Sequence, residues 1–125
     1  MCYTLSMNIT QEIENLIDQY HDQLGLTAKK INNGKCMKFA EDIVDLGFLN
    51  CVAIWGDDLP YSCWSKVVQI LWDNELEFYV GGHCFIMYNN KYYDSECSQG
   101  CNYPDKLPFY QRQIAFTLSN TMVIF

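Results

Sequence analysis

The dipeptide Asn89-Asn90 constrains this chain more than any other local feature. It separates two β-rich runs, His83 to Tyr88 and Lys91 to Glu96. Both residues tolerate the left-handed backbone that a two-residue type I′ turn demands, so the segment reads as a hairpin. Such a turn fixes the register. Tyr88 then faces Lys91, Phe85 faces Asp94, and His83 faces Glu96. Side chains alternate along a strand, so His83, Phe85, Asp94 and Glu96 share one face. Asp94 lies on a cross-strand diagonal about 7–8 Å from His83 in backbone terms. A three-residue loop would turn Asp94 to the opposite face.

The rest of the chain supplies the layer that such a hairpin needs. Leu76 to Val80 alternates and ends at Gly81-Gly82, which predicts a first strand and hence a β-meander. Upstream, Ile9, Ile13, Leu16, Ile17, Tyr20 and Leu24 fall at helical spacing, with Asn8 as N-cap, Gln11 as its capping-box partner and Gly25 as the stop. After the basic, loop-like stretch Lys29 to Lys35, a second helix is predicted over Cys36 to Leu46, with Phe39, Ala40, Ile43, Val44 and Leu46 buried and Gly47 as its C′ residue. Phe48 to Trp55 reads as a short strand ending in the turn Gly56-Asp57-Asp58, and residues 59–74 fit a helix slightly better than a strand. The tail from Gln113 to Phe125 reads as another strand. Helices first and an antiparallel sheet afterwards is the α+β pattern, with the helix opening at Cys36 packed on the sheet. At 125 residues this is one domain.

Composition narrows the function. Half of the residues are apolar and 15% aromatic, which excludes disorder. Eight basic against fifteen acidic residues give a net charge of −7, the wrong sign for a protein that neutralises nucleic-acid phosphates. No apolar run approaches the ~20 residues needed to span a bilayer, so no membrane partner is expected. Met1 to Thr10 has neither a basic n-region nor an apolar h-region, so the expectation is a cytoplasmic protein of the producing or host cell without a signal peptide. Seven cysteines, at 2, 36, 51, 63, 84, 97 and 101, are an odd number that argues against a disulfide framework. They read as reduced thiols, of which one is a candidate for chemistry.

Cys36 is that candidate. It follows a glycine-containing loop and opens a helix, where unsatisfied N–H groups and the positive end of the helix dipole stabilise a thiolate. Lys35 and Lys38 add positive charge. His83 follows two glycines at a strand start, and Asp94, by register, is placed to accept its far N–H and fix its tautomer. His21, beside Asp22 on the first helix, reads as surface. Cys63, in Tyr61-Ser62-Cys63-Trp64-Ser65, forms a Cys-Trp pair at a possible helix start, but it lacks the glycine before it and lies only 20 residues before His83. Cys84, Cys97, Cys101 and His83 form a zinc set on paper, yet adjacent strand residues point to opposite faces, so no metal is assigned. The aromatic residues around the meander read as core, with some available to line an acyl or peptide groove.

Gly34-Lys35-Cys36-Met37-Lys38-Phe39-Ala40 resembles the G-x-C-x-x-F-A nucleophile helix of transglutaminase-like proteins in the papain-like cysteine-peptidase superfamily. His83 to Tyr88 and Tyr92-Tyr93-Asp94 resemble the histidine and aspartate strands that follow in the same order. Tyr92 to Glu96, with Gly100 and Leu107-Pro108-Phe109, is similar to small proteins of this kind in phage and bacterial genomes. The resemblance covers about residues 28–112. It implies Cys36 as nucleophile, His83 as general base and acid, and Asp94 as orienting group. Met37 stands where the superfamily often has tryptophan, and Asn32, Asn33, Gln23 and Trp55 are all open as side-chain donors to an oxyanion. The implied activity is a cysteine hydrolase that forms a thioester acyl-enzyme on a peptide, protein or peptidoglycan-like amide, without cofactor. The alternative is an inactive papain-like-fold binding module, phage-encoded.

Overall fold

The structure is a computed structural model that describes residues 8–122. Its elements run α1 (Ile9–Leu24), α2 (Ala28–Ile31), α3 (Cys36–Val44), β1 (Val52–Trp55), α4 (Lys66–Asp73), β2 (Cys84–Tyr88), β3 (Lys91–Asp94), β4 (Cys97–Cys101) and α5 (Pro108–Met122). The fold is α+β, with N-terminal helices packed on a four-stranded antiparallel sheet of order β1-β2-β3-β4.

The α1 helix starts where the sequence places it. Asn8 Oδ1 accepts from the Gln11 N–H at 3.3 Å, and Gly25 closes the other end in the left-handed region. The capping box is one-sided, because the Gln11 side chain donates to Asn15 instead. Leu24 lies past the packed stripe and is exposed. In the stretch read as a basic loop, Thr27 caps the short α2, and Ile31 is fully buried. The α3 helix is shorter than expected. It stops at Val44, which leaves Leu46 exposed beyond its buried stripe of Phe39, Ala40 and Ile43. Tyr20 ties α1 to α3, donating to Asp42 at 2.7 Å and packing edge-on against Phe39.

Two apolar clusters sandwich the sheet. Ile13, Ile31, Phe39, Ile43, Cys84, Ile86 and Tyr93 pack on the α1 and α3 side. Trp64, Val68, Leu71, Phe85, Tyr92 and Tyr110 pack on the side of α4 and α5. Alternation along β2 divides its residues between the clusters, as period 2 requires.

Two strand expectations fail. Leu76 to Val80 has no regular structure and pairs with no strand, because β1 occupies the edge of β2 (Trp55 opposite Cys84, Val52 opposite Met87). Phe78 and Val80 are nevertheless buried, and their carbonyls accept from Trp72 Nε1 and the Tyr110 hydroxyl. The segment from Gln113 is not a strand either. It continues α5, which Pro108 opens at a position where a missing N–H costs nothing. The final residues of that expectation, Val123 to Phe125, lie outside the described residues, as does Cys2. Residues 59–74 hold a helix only from Lys66 to Asp73, preceded by single 3-10 turns.

Candidate active site

The hairpin register is the one the turn demands. Asn89 and Asn90 have φ of 52° and 60°, and Tyr88 pairs with Lys91, Met87 with Tyr92, and Ile86 with Tyr93. Continuing one step puts Phe85 opposite Asp94, so His83 and Asp94 meet on the diagonal. His83 Nε2 and Asp94 Oδ2 are 2.8 Å apart, and both side chains are essentially inaccessible to solvent. The other carboxylate oxygen of Asp94 accepts from the Glu96 N–H at 2.9 Å. Asp94 is thereby fixed at both oxygens. Glu96 is not a strand residue facing His83, since β3 ends at Asp94 and Ser95-Glu96 turn into β4.

Cys36 reaches the same point from the other layer. It is the first residue of α3, and Gly34 before it has φ of 139°, a region that side chains avoid. The cap residue, Lys35, makes no side-chain capping bond, which leaves first-turn amides available to the thiol. The Met37 N–H serves the Cys36 sulfur, and the Cys84 N–H donates to it at 3.5 Å. The second bond ties the sulfur to the backbone next to His83. His83 Nδ1 is buried without an aligned hydrogen bond, yet the Cys36 thiol interacts with the imidazole. The Cys–His pairing is thus looser than the His–Asp pairing.

The electrostatics follow from these contacts. Burial alone pushes the Cys36 thiol up, but the His83 imidazole and the two amides outweigh it and leave the thiol below its ordinary value. Burial pulls the His83 imidazolium down, and Asp94 and then Cys36 outweigh that and leave it above its ordinary value. Each shift favours a thiolate beside an imidazolium. Cys84, one residue from His83, is pushed up to about 12, by burial first and then by the Cys36 charge. Burial also raises Cys51. Cys63 sits in a 3-10 turn against the opposite cluster, three residues before α4 begins, and has no part in this group.

Several contacts around the site were not legible in the sequence. Phe109, on α5, stacks on the His83 ring with centroids 4.2 Å apart and planes 16° from parallel. Phe85 and Tyr110 flank the same imidazole. Glu96 takes a bidentate contact from Arg112 of α5, at 2.8 Å to each oxygen, and a 3.0 Å bond from the buried Asn32 amide. Ser95 donates to the Ala28 carbonyl at 2.6 Å. The turn after Asp94 therefore clamps the loop before Cys36. The signal for Phe109 was Leu107-Pro108-Phe109, whose proline opens a helix.

The open oxyanion donors fall in different places. The Asn32 amide is engaged by Glu96. Gln23 lines a hollow with Lys35 and Lys38, away from the sheet, and Trp55 packs in the cluster that Cys36 borders. Asn33 lies on a cleft of about 430 Å³ walled by Phe78, Tyr79, Phe109 and Phe116. That cleft abuts His83 through Phe109, and Cys36 is not among its walls. Among the described residues, no three His, Cys, Asp or Glu side chains converge as a metal-ligand set. His83 and Cys84 belong to opposite faces of the sheet. His21 is exposed on α1, 3.5 Å from Asp22.

No protein-family model, curated protein or solved structure matches the chain. Among the described residues, no helix is long and apolar enough to cross a membrane.

Proposed function

We propose that the chain is a thiol hydrolase of papain-like, transglutaminase-like fold that uses Cys36, His83 and Asp94. The observation that carries the reading is the His83 imidazole, held by Asp94 at 2.8 Å on one side and interacting with the helix-start thiol of Cys36 on the other. In this reading His83 takes the thiol proton and the Cys36 thiolate adds to an amide carbonyl. The developing oxyanion is met by backbone N–H groups at the start of α3. The imidazolium then protonates the leaving amine, and water, activated by the neutral imidazole, releases the acid from the thioester. Asp94 keeps the tautomer and stabilises the charged ring. The substrate class is a peptide, protein or peptidoglycan-like amide, and the steps need no cofactor.

A second reading keeps the fold and drops the chemistry, leaving a binding module. The engagement of the Asn32 amide by Glu96 favours it, because that donor is then not directed at an oxyanion. Iodoacetamide at pH 6, read by peptide mapping, separates the two. Hydrolase chemistry requires Cys36 to be alkylated well ahead of Cys51, Cys63 and Cys84, and His83→Ala to slow it about tenfold or more, the effect of one pKa unit on thiolate fraction. Equal, slow labelling of Cys36 and those three thiols, unchanged in His83→Ala, overturns the hydrolase reading.

A further inference from the structure

β3 and β4 do not pair residue for residue. Tyr92 lies opposite Cys101 and Asp94 opposite Cys97, so two steps on β3 are matched by four on β4. The extra residues bulge out between the cysteines. Gly100 has φ of 80°, and a methyl group there would collide with the Tyr93 ring, so the bulge depends on that glycine.

The bulge changes what the two cysteines can do. At about 3.3 Å per residue, an unbroken strand would hold positions four apart roughly 13 Å from each other. Matching two steps of β3 brings the backbones to about 7 Å, the upper edge of what a disulfide spans. Both side chains pack against the cluster of Phe85, Tyr92 and Tyr110, so they lie on one face, close enough for the two thiols to perturb each other. Both are partly exposed, within reach of a small reagent. No third ligand joins them among the described residues, which points the pair toward sulfur chemistry rather than metal binding.

We propose that Cys97 and Cys101 form a dithiol–disulfide site, closed by exchange with a low-molecular-weight disulfide such as glutathione disulfide and reopened by the matching thiol. The Cys97 thiolate attacks one sulfur of glutathione disulfide, forming a mixed disulfide and expelling one glutathione thiolate. Cys101 loses its proton and attacks the Cys97 sulfur, which expels the second glutathione. The cysteine pair gives up two electrons and two protons, and glutathione disulfide is reduced to two thiols.

The order of attack follows from the hydrogen bonds of Cys101, and the acidities agree with it. The neighbouring Cys101 thiol brings Cys97 down to about 7, while Cys97 and burial push Cys101 up. The Cys101 thiol donates to the Tyr103 carbonyl at 3.2 Å and to the Tyr92 carbonyl at 3.6 Å, contacts that hold it protonated. The closed ring is short and constrains little of the unfolded chain, so the bond suits exchange better than structural support. Closure would pin β4 opposite Asp94, but the site does not depend on Cys36 being a nucleophile.

The test is to equilibrate the full chain in glutathione disulfide and glutathione, quench with acid, and map alkylated and bridged cysteines. It is run in the Cys36→Ser background so that this thiol does not compete. Cys97 and Cys101 should lose alkylation together, with a bridge between them, no retained glutathione, and full recovery under excess thiol. Cys101→Ser should arrest the reaction at the mixed disulfide on Cys97, raising glutathionylated Cys97 about tenfold or more. Cys97→Ser should leave Cys101 without an adduct under the same conditions. The proposal is overturned if both thiols stay alkylatable in excess glutathione disulfide, or if oxidation bridges other cysteines first.

Discussion

At the scale of single residues, the sulfur of Cys36 is where the helix start, the imidazole and the strand backbone meet. Its environment opposes itself: burial disfavours the thiolate, while His83 and two amides favour it and prevail. Because alkylation needs the thiolate, the rate falls as pH drops through the thiol pKa. A lowered pKa moves that fall to lower pH, so Cys36 should keep reacting where Cys51 and Cys84, both shifted upward, have stopped. Asp94→Asn tests the chain of influence. It removes the charge that helps hold His83 protonated, so the midpoint of the Cys36 profile should rise, by less than in His83→Ala, where the imidazole itself is gone. A pH series of Cys36 alkylation from 5 to 10 checks the order. A profile identical to wild type in Asp94→Asn would mean that Asp94 only packs against the ring.

At the scale of elements, the β2–β3 hairpin converts a turn into a site. Period-2 alternation means that one inserted residue reverses which side chains face His83. A glycine inserted between Asn89 and Asn90 should carry Asp94 off the diagonal and reduce Cys36 labelling at pH 6 to the level of Asp94→Asn. Asn90→Gly keeps the turn and suits its positive φ. It should raise stability by a few tenths of a kcal/mol, with labelling unchanged, as read by denaturant unfolding and peptide mapping. The hairpin was legible because its turn residues and its alternation agree, and with it the meeting of His83 and Asp94. Cys36 at a helix start was legible from the glycine before it and the apolar spacing after it. What the chain concealed has physical causes. Leu76 to Val80 alternates like a strand, but the one open edge of β2 belongs to Val52–Trp55. β4 is disguised by Ser98, Gln99 and a left-handed Gly100. The α5 helix holds Phe, Ile and Thr residues that also suit a strand, and only Pro108 announced a helix.

At the scale of the whole molecule, the candidate site draws on every layer. α3 brings the thiol, the sheet brings His83 and Asp94, and α5 brings the aromatic cover, so the site lies where the two apolar clusters meet the end of the sheet. Tyr110 shows how fold and site can be separated. Its ring contacts Trp64, Phe78, Phe85 and His83, and its hydroxyl donates to the Val80 carbonyl at 2.6 Å in the buried interior. That bond is one of the polar anchors of the irregular Leu76 to Val80 segment, which has no strand partner to satisfy it. Tyr110→Phe keeps the ring packing and orphans the carbonyl, at a cost of about 1–2 kcal/mol. For a chain of this size that corresponds to a Tm lower by roughly 3–8 °C. The His83–Asp94 contact involves no atom that is lost, so Cys36 labelling at 25 °C should match wild type. Thermal unfolding beside peptide-mapped alkylation reads both arms. If the Tm falls and labelling holds, the aromatic hub serves the fold and the triad stands on its own supports. If labelling falls as well, the hydroxyl acts through Val80 and Gly81-Gly82 on the backbone that carries His83, and the site is coupled to the second cluster through that segment.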